Sequence, residues 1–197
     1  MRCQRLQHRL KRRYCRARPV PVRPAAPNVL DRAFAPSTPN KVWAADITPI
    51  FTKKGWAHVA VVLDIGVRRV VGWCVSAAVD TELTLRALSM ALHERRPPPG
   101  VIHHSDRGVQ YTAGDYQAAL DSFICSMSRK GNCWDNAVVE SFFSAMKREL
   151  PNEGLFRDAQ ELDFAVFKYV ASYYNSTRRH STLGYLTPIE YEMRSAA

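Results

Sequence analysis

VWAADITPIFTKKGWAHVAVVLDIGVRRVVGWCVSAA, residues 42–78, is the stretch that decides the fold. It holds three apolar runs, at 42–52, 56–66 and 70–78, separated by short turns around KKG and GVRR. Short runs rich in valine and bounded by turn residues predict β-strands, and such short connections require antiparallel pairing. The second run is almost continuously apolar, so we expect it to be buried on both faces. The stretch therefore predicts a three-stranded antiparallel meander.

Helices and further strands are predicted beyond the meander. Asp80 can cap a helix that ends near Arg95 before the sequence PPPG. Strands are predicted at 101–105 and 124–128, and helices at 113–123, after the loop RKGNCWDN, and at 158–174. Strands followed by alternating helices and strands are typical of an α/β domain, here with a five-stranded mixed sheet flanked by helices.

Positive charge is concentrated at the N-terminus. The formal net charge of the 197 residues is +10, and residues 1–40 carry ten Arg or Lys and one acid, which leaves +1 for the remainder. Residues 19–40 also contain six of the twelve prolines, which favours an extended linker. We therefore predict a basic arm over 1–40 and a folded domain over 41–197. Such an arm binds a polyanion such as nucleic acid, or else is a solvated disordered tail.

Several classes of protein are disfavoured by the composition. The five cysteines lack zinc-ligand spacing, and their scattered placement predicts reduced thiols in a reducing compartment. No apolar run approaches the roughly 18 residues of a membrane span, and the Arg-rich start lacks the apolar region of a secretory signal. We expect no membrane partner.

Two aspartates occupy unusual places in the predicted strands. Asp46 lies within the first strand, between Ala44 and Thr48 on one face. A carboxylate there is costly unless it is paired or binds a cation. Asp106 follows the fourth strand, at the carboxyl end where sites of α/β sheets gather. Taken singly, each aspartate is also compatible with an ordinary structural role, such as a turn.

Glu140 stands in the apolar stretch GNCWDNAVVESFF, residues 131–143. At about 100° per residue, Phe142, Phe143, Met146 and Leu150 fall within about 60° of Val139 and form the buried stripe. Glu140 falls about 100° from Val139, at the rim of the stripe and beside Lys147. Asp135 or Asn136 is the predicted cap of this helix. A solvated glutamate is the simpler reading, since most glutamates are exposed.

Three converging carboxylates would repel one another unless a cation lay between them. Hard divalent cations prefer oxygen ligands. Two such ions about 4 Å apart can hold the attacking and leaving oxygens of a phosphodiester. Together with the basic arm, the carboxylates indicate phosphoryl transfer on nucleic acid.

Four segments carry a resemblance to a known family. VWAADIT, HHSDRGVQYT, SMSRKGNCWDNAVVESFFSAMKRE and YYNSTRRHSTLGYLTPIEY resemble the OrfB-type catalytic protein of bacterial insertion sequences of the IS-three family. That family belongs to the DDE transposases and retroviral integrases. The similarity extends from about Pro27 to Tyr191.

The resemblance implies a ribonuclease-H-like fold and a DDE triad, with Asp46, Asp106 and Glu140 at the matching positions. It implies two Mg²⁺ ions per site, with Mn²⁺ as a substitute, and cleavage at the element's ends followed by strand transfer into target DNA. It also implies a homo-oligomer on DNA in the bacterial cytoplasm, at the nucleoid, and an upstream helix-turn-helix product as a partner. Asp64 competes with Asp46 as first acid, but Asp46 lies in the matching ADIT segment.

The chain departs from the family pattern in two places. The interval from Asp106 to Glu140, residues 107–139, is 33 residues and two shorter than usual. The two residues that are missing relative to the family pattern would lie near ALDSFICS, where their absence either tightens a loop or displaces the fifth strand. The N-terminal sequence is also shorter than usual. A remnant that binds DNA or transposase subunits without chemistry is therefore the alternative function, and a hydrolytic nuclease is a third.

Residues around the triad are candidates for DNA contact. They are Lys147 on the glutamate's helix, Arg129, Lys130 and Asn132 in the loop before it, and Arg178, Arg179 and His180 near the C-terminus. Each is equally compatible with a solvated polar surface. Trp134 either stacks on a base or packs against the start of the helix. We do not expect His103 or His104 to act as a general base.

Overall fold

A computed structural model describes residues 24–35, 37–129, 133–150 and 156–195, with the backbone alone at 133 and 134. Five strands form one sheet: β1 (Val42–Thr52), β2 (Gly55–Asp64), β3 (Arg69–Ser76), β4 (Ile102–Ser105) and β5 (Ile124–Met127). Their order is β3-β2-β1-β4-β5. The first three pair antiparallel, whereas β4 and β5 join parallel to β1, so the predicted meander and mixed sheet are confirmed.

The described helices surround this sheet. They are α1 (Thr81–Arg95), α2 (Val109–Thr112), α3 (Gly114–Ala119), α4 (Ala137–Glu149), α5 (Ala159–Lys168) and α6 (Pro188–Ser195). A 3₁₀ turn, Cys133–Asn136, leads into α4, a π-helical segment, Tyr169–Tyr174, continues α5, and a second 3₁₀ turn spans Ser181–Leu183. None of these helices is both long and apolar enough to cross a membrane.

Alternation along β1 divides the core into two layers. Ala44 and Ile50 face α4 and α5, whereas Trp43 and Ala45 face α1, α2 and α3. The α1 layer approaches β3 closely at Gly72, where an added Cβ would lie 2.2 Å from the carbonyl oxygen of Ala87. The sheet is therefore covered by helices on both faces, and polar groups reach solvent at its ends.

Local sequence signals placed several boundaries correctly. Asp80 caps α1 by accepting a hydrogen bond from the amide of Leu83 at 3.0 Å. The helix predicted at 113–123 is shorter, since α3 spans only Gly114–Ala119 and residues 120–123 form the turn into β5. The short helix α2, Val109–Thr112, was not predicted, and the extended Ala113 (φ −62°, ψ 140°) separates it from α3. The helix predicted at 158–174 is α5 followed by the π-helical segment.

Part of the predicted linker packs against the folded domain. We call residues 27–34 the N-terminal segment. Its backbone amides at Val29 and Leu30 donate to Ser126 Oγ at 2.9 and 3.1 Å, and its Pro27 carbonyl accepts from the amide of Met127. Leu30 is buried in the core. The segment lacks regular secondary structure, as expected of a linker, yet the contacts extend the packed domain to residues before Lys41.

Candidate active site

The sheet register brings Asp46 and Asp106 to the same level. Ala44 pairs with His104 on the neighbouring parallel strand, and each aspartate lies two residues further along its own chain. Adjacent strands are about 4.8 Å apart, and a spacing of two residues keeps a side chain on the same face. The two carboxylates therefore belong to one end of the sheet, on the side that α4 covers.

Asp106 is fixed by a tight turn after β4. Its Oδ1 accepts a hydrogen bond from the amide of Gly108 at 2.8 Å. A Cβ on Gly108 would lie 2.9 Å from the same oxygen, so the turn favours glycine. The next side chain, Arg107, donates its Nε to the carbonyl oxygen of Ser128, which ties the turn to the end of β5.

Glu140 lies in the first turn of α4, whose buried face anchors the helix. Val139, Phe142, Phe143 and Met146 are buried, as the helical geometry predicted, and Glu140 is exposed. Asn136 is the N-cap residue, but its side chain makes no capping hydrogen bond. Its Nδ2 instead donates to the carbonyl oxygen of Ala45 at 3.5 Å, which joins the start of α4 to β1.

The three carboxylates interact electrostatically at Asp46. Burial, with the negative charges of Asp106 and Glu140, raises the pKa of Asp46 to about 7. A hydrogen bond from the amide of Ile47, at 2.8 Å, and the nearby side-chain amide of Asn136 oppose this rise. Asp46 therefore needs a compensating positive charge to be fully ionised at neutral pH.

The donors at this end of the sheet suit a hard divalent cation, because all three are carboxylates. Asn136 Oδ1 is also buried, and no donor reaches it within the described part of the chain. Among the described residues, no three His, Cys, Asp or Glu side chains lie close enough to surround one cation. Glu140 is exposed on the first turn of α4, and its charge acts on the buried carboxyl group of Asp46.

Asp64, the competing first acid, belongs to a different environment. It is fully buried, and its carboxylate accepts from the amides of Asn40 and Gly66 at 2.7 and 3.0 Å. Burial raises its pKa to about 6, while those hydrogen bonds and nearby Arg95 lower it. Its charged neighbours are Arg95 and Glu192, whereas those of Asp46 are Asp106 and Glu140.

Both histidines of β4 are buried in hydrogen-bond networks. His103 Nε2 lies 3.1 Å from the hydroxyl of Tyr116, and burial lowers the pKa of His103 to about 3. His104 lies between the hydroxyls of Ser126 and Ser128, at 2.9 and 3.1 Å, and burial lowers its pKa as well. Neutral imidazoles that are held in this way support the sheet.

Arg129, predicted to contact DNA, is part of an ion-pair cluster. Its Nε and Nη2 each lie 3.0 Å from the carboxylate of Asp135, which is fully buried. Arg32 and Asn28 of the N-terminal segment donate to the same carboxylate at 3.0 Å. These donors, Arg129 first, hold the pKa of Asp135 well below its usual range.

The other predicted DNA contacts fall in several places. Lys147 is half-buried on α4, seven residues after Glu140, and Arg178 donates its Nε to Glu149 at 3.0 and 3.1 Å. Arg179 donates to the carbonyl oxygen of Tyr185, and His180 packs edge-on against Tyr174. Lys130, Asn132 and the side chain of Trp134 lie outside the described residues.

Two residues near the carboxylates were not singled out as site residues by the sequence. Asn136 was read only as a cap, although its position four residues before Glu140 places both on one side of the helix. Tyr111 lies in α2, five residues after Asp106, and its buried hydroxyl has no hydrogen-bond partner in the described regions. Burial, with the charges of Tyr116, Asp46 and Asp106, raises the pKa of Tyr111 well above its usual value.

Comparison with protein-family models defines the class of the domain. Two models described as "Integrase core domain" match residues 36–133 and 122–188. Similar solved structures include the simian T-cell lymphotropic virus intasome (TM-score 0.64, 17% identity, 86% of this chain and 58% of that one). Another is the HTLV-2 integrase catalytic core domain in complex with magnesium (TM-score 0.54, 17% identity, 79% and 97%). The fold is ribonuclease-H-like, as the resemblance implied.

Curated relatives identify the family within this class. "Transposase InsF for insertion sequence IS3fB" of Escherichia coli K12 is 41% identical over 203 residues, covering all of this chain and 69% of the relative. The "Insertion element IS600 uncharacterized 31 kDa protein" of Shigella sonnei is 43% identical over 85% of this chain and 62% of the relative. The chain belongs to the IS3-type family of insertion-sequence transposases with an integrase core. It spans about two thirds of the length of these relatives.

Proposed function

We propose that this chain is the catalytic part of a DNA transposase, with Asp46, Asp106 and Glu140 as its metal ligands. One observation carries the proposal above the others. Carboxylates from β1, from the turn after β4 and from α4 belong to the same end of the sheet, and the pKa of Asp46 responds to the charges of the other two. The 41% identity to an insertion-sequence transposase supports the same reaction class.

Divalent ions would be held by the three carboxylates. Mg²⁺ is the expected ion and Mn²⁺ its substitute, since both accept carboxylate oxygens as ligands. Two such ions held by Asp46, Asp106 and Glu140 would supply Lewis acidity for the attack of a water or 3′-hydroxyl on a phosphodiester. A cation would also compensate the burial of Asp46, which otherwise disfavours the ionised form.

The protein's own groups orient the site and the DNA. Asn136 donates to the carbonyl oxygen of Ala45, next to Asp46, and its amide favours the ionised form of the Asp46 carboxylate. Lys147 shares the helix of Glu140, seven residues or about 10 Å further along it, where it would contact a phosphate beside the scissile bond. Neither His103 nor His104 serves as a general base, because both are buried and their pKa values are lowered.

The expected substrates are the ends of the element and the target DNA. Joining two ends to one target requires at least two active sites, so we propose a homo-oligomer on DNA. Lys130 and Asn132, together with Arg129, Arg179 and the basic arm over 1–40, remain candidate DNA contacts. An upstream helix-turn-helix product remains the candidate partner for recognising the ends.

The decisive experiment uses a branched DNA that mimics the product of strand transfer. Incubated with the chain in Mg²⁺ or Mn²⁺, this DNA is rejoined by an assembled site, and the reverse reaction depends less on end recognition than transposition does. We expect Asp46→Asn, Asp106→Asn and Glu140→Gln each to lower the rate by about 100-fold or more, which is ~3 kcal/mol of activation free energy. Asp115→Asn, which removes an exposed carboxylate of α3, is the matched control.

Three outcomes would contradict the proposal. Full rejoining by Glu140→Gln would exclude Glu140 from the site. No rejoining by the parent chain, with a cooperative thermal transition that shows the fold intact, would leave a DNA-binding protein without chemistry. Cleavage of the branch without any joined product would instead identify a hydrolytic nuclease.

A further inference from the structure

A cavity of about 300 Å³ lies along α4, next to the residue that follows Glu140. The cavity is lined by four parts of the chain that are distant in sequence: the N-terminal segment, the β2–β3 turn, α4 and residues 174–182. Its polar side chains are Arg68, Ser141, Arg178, His180 and Thr182, and Phe34, Phe142 and Tyr174 supply aromatic walls.

Arg68 enters the cavity at an energetic cost. Its backbone is left-handed, with φ at 58°, which is unfavourable for a residue other than glycine. Its Nη2 donates to the carbonyl oxygen of Phe34 at 2.8 Å, but its Nε is buried without an acceptor among the described residues. An unsatisfied buried donor is costly, so an acceptor supplied from outside the chain would stabilise this arrangement.

The opposite wall of the cavity adds to the positive potential. Arg178 is held by the carboxylate of Glu149, and its Nη1 lies 3.3 Å from Nδ1 of His180. Burial and the charges of Arg178 and Arg68 lower the pKa of His180 to about 4, and the charge of Glu149 opposes them. The two guanidinium groups that act on this histidine also line the cavity, which favours an anion there.

We propose that this cavity binds one phosphodiester group of the DNA strand that runs along α4. Arg68 and Arg178 supply the charge, the hydroxyls of Ser141 and Thr182 supply further donors, and the aromatic walls accept the apolar face of a sugar. The inference rests on the proposed function, because it takes DNA as the substrate. Since Ser141 directly follows Glu140, a phosphate held here sets the register of the strand relative to the carboxylates.

Binding to a short duplex, measured by fluorescence anisotropy of the full chain in EDTA, tests the inference without any chemistry. Arg68→Gln removes one guanidinium from the cavity, and Arg194→Gln makes the same change in the last turn of α6. We expect Arg68→Gln to weaken binding about tenfold and to reduce the slope of log K against log salt by about 1. Equal effects of the two variants would overturn the inference.

Thr182→Glu provides a second variant that leaves Arg68 and its bond to Phe34 intact. Thr182 is exposed, so the variant is expected to fold, and its carboxylate repels a phosphate from the cavity. We expect a loss of affinity at least as large as that of Arg68→Gln, and this variant decides the matter if Arg68→Gln fails to fold. Affinity and salt slope equal to those of the parent chain would overturn the proposed site.

The titration of His180, followed by NMR, reports on the cavity itself. A bound phosphate opposes the charges of Arg68 and Arg178, so adding the duplex raises the pKa of His180 from about 4 towards its ordinary value. No change at saturating DNA would contradict the inference. If the parent chain rejoins branched DNA and the Arg68 and Thr182 variants behave like it, only the cavity proposal is overturned. If those variants weaken DNA binding but the parent chain does not rejoin branched DNA, only the catalytic proposal is overturned.

Discussion

The side-chain amide of Asn136 acts on the carboxyl group of Asp46 and lowers its pKa, so the start of α4 interacts with the strand that carries Asp46. The same side chain donates to the carbonyl oxygen of Ala45. The position of α4 relative to β1 is therefore held close to the carboxyl group of Asp46. Glu140 lies four residues further along, about one helical turn from this contact.

Asn136→Ala should move the pH dependence of rejoining. The side-chain amide of Asn136 lowers the pKa of Asp46, so its removal raises that pKa. We expect the acidic limb of the pH–rate profile to move upward by up to about one unit, because ionised Asp46 is needed to hold the metal. Ser144→Ala, at an exposed position of α4, is the control. A lower rate with an unmoved limb would indicate only a structural role for Asn136.

Sequence patterns identified the strands and the α1 cap because those signals are local. The meander is set by apolar runs and short turns, and the cap depends on Asp80 and an amide three residues later. The N-terminal segment could not be predicted in this way, since its partners Ser126 and Asp135 are about 100 residues away. The ion pairs of Arg129 with Asp135 and of Arg178 with Glu149 were also not predicted, because they depend on how loops and helix ends are placed and no periodic pattern marks them.

Asp64 and Asp46 should respond differently to the same substitution. Asp64 accepts two backbone amides near the end of β2, so Asp64→Asn places an amide donor against one of them and lowers the melting temperature. Its charged neighbours are distinct from those of Asp46, so rejoining per folded molecule should stay within about threefold of the parent rate. Asp46→Asn should instead lose activity while staying folded. Loss of rejoining in folded Asp64→Asn would reverse the assignment of the first acid.

Asp46 should also make the folded chain less stable as pH rises. Its folded pKa of about 7 exceeds its ordinary value of 3.8, so the folded state binds more protons than the unfolded state between these values. The free energy of unfolding therefore falls as pH rises through this window, and this loss of stability is complete above pH 7. Asp46→Asn has no carboxyl group to ionise at this position, so it should be more stable than the parent at pH 8 in EDTA by roughly 2–4 kcal/mol.

Urea denaturation at pH 4 and pH 8 measures this difference. Asp64 titrates in the same window, but it is present in both proteins and cancels in the comparison. At pH 8, Mn²⁺ should raise the free energy of unfolding of the parent more than that of Asp46→Asn, because binding to the folded state alone stabilises it. An advantage of Asp46→Asn that is equal at both pH values would mean that the ionisation of Asp46 is not its cause.

The shortened interval between Asp106 and Glu140 is accommodated by a tight turn before β5. The amide of Phe123 donates to the carbonyl of Leu120 at 2.8 Å, and the amide of Gly100 donates to Ser122 at 2.8 Å. All four residues of β5 still pair with β4, from Ile124 opposite Ile102 onward. The interval of 33 residues is thus compatible with a fifth strand that pairs with β4 along its whole length.

Restoring two residues between Ser122 and Phe123 should therefore change rejoining by less than about threefold. The added residues extend a surface turn, and the entropic cost of lengthening a short loop by two residues is well below 1 kcal/mol. A matched insertion of two residues between Ala118 and Ala119, inside α3, is expected to disturb packing and lower the melting temperature. If the turn insertion instead raised the rate tenfold or more, the short interval would be misplacing Glu140, because nothing else in the turn approaches the carboxylates.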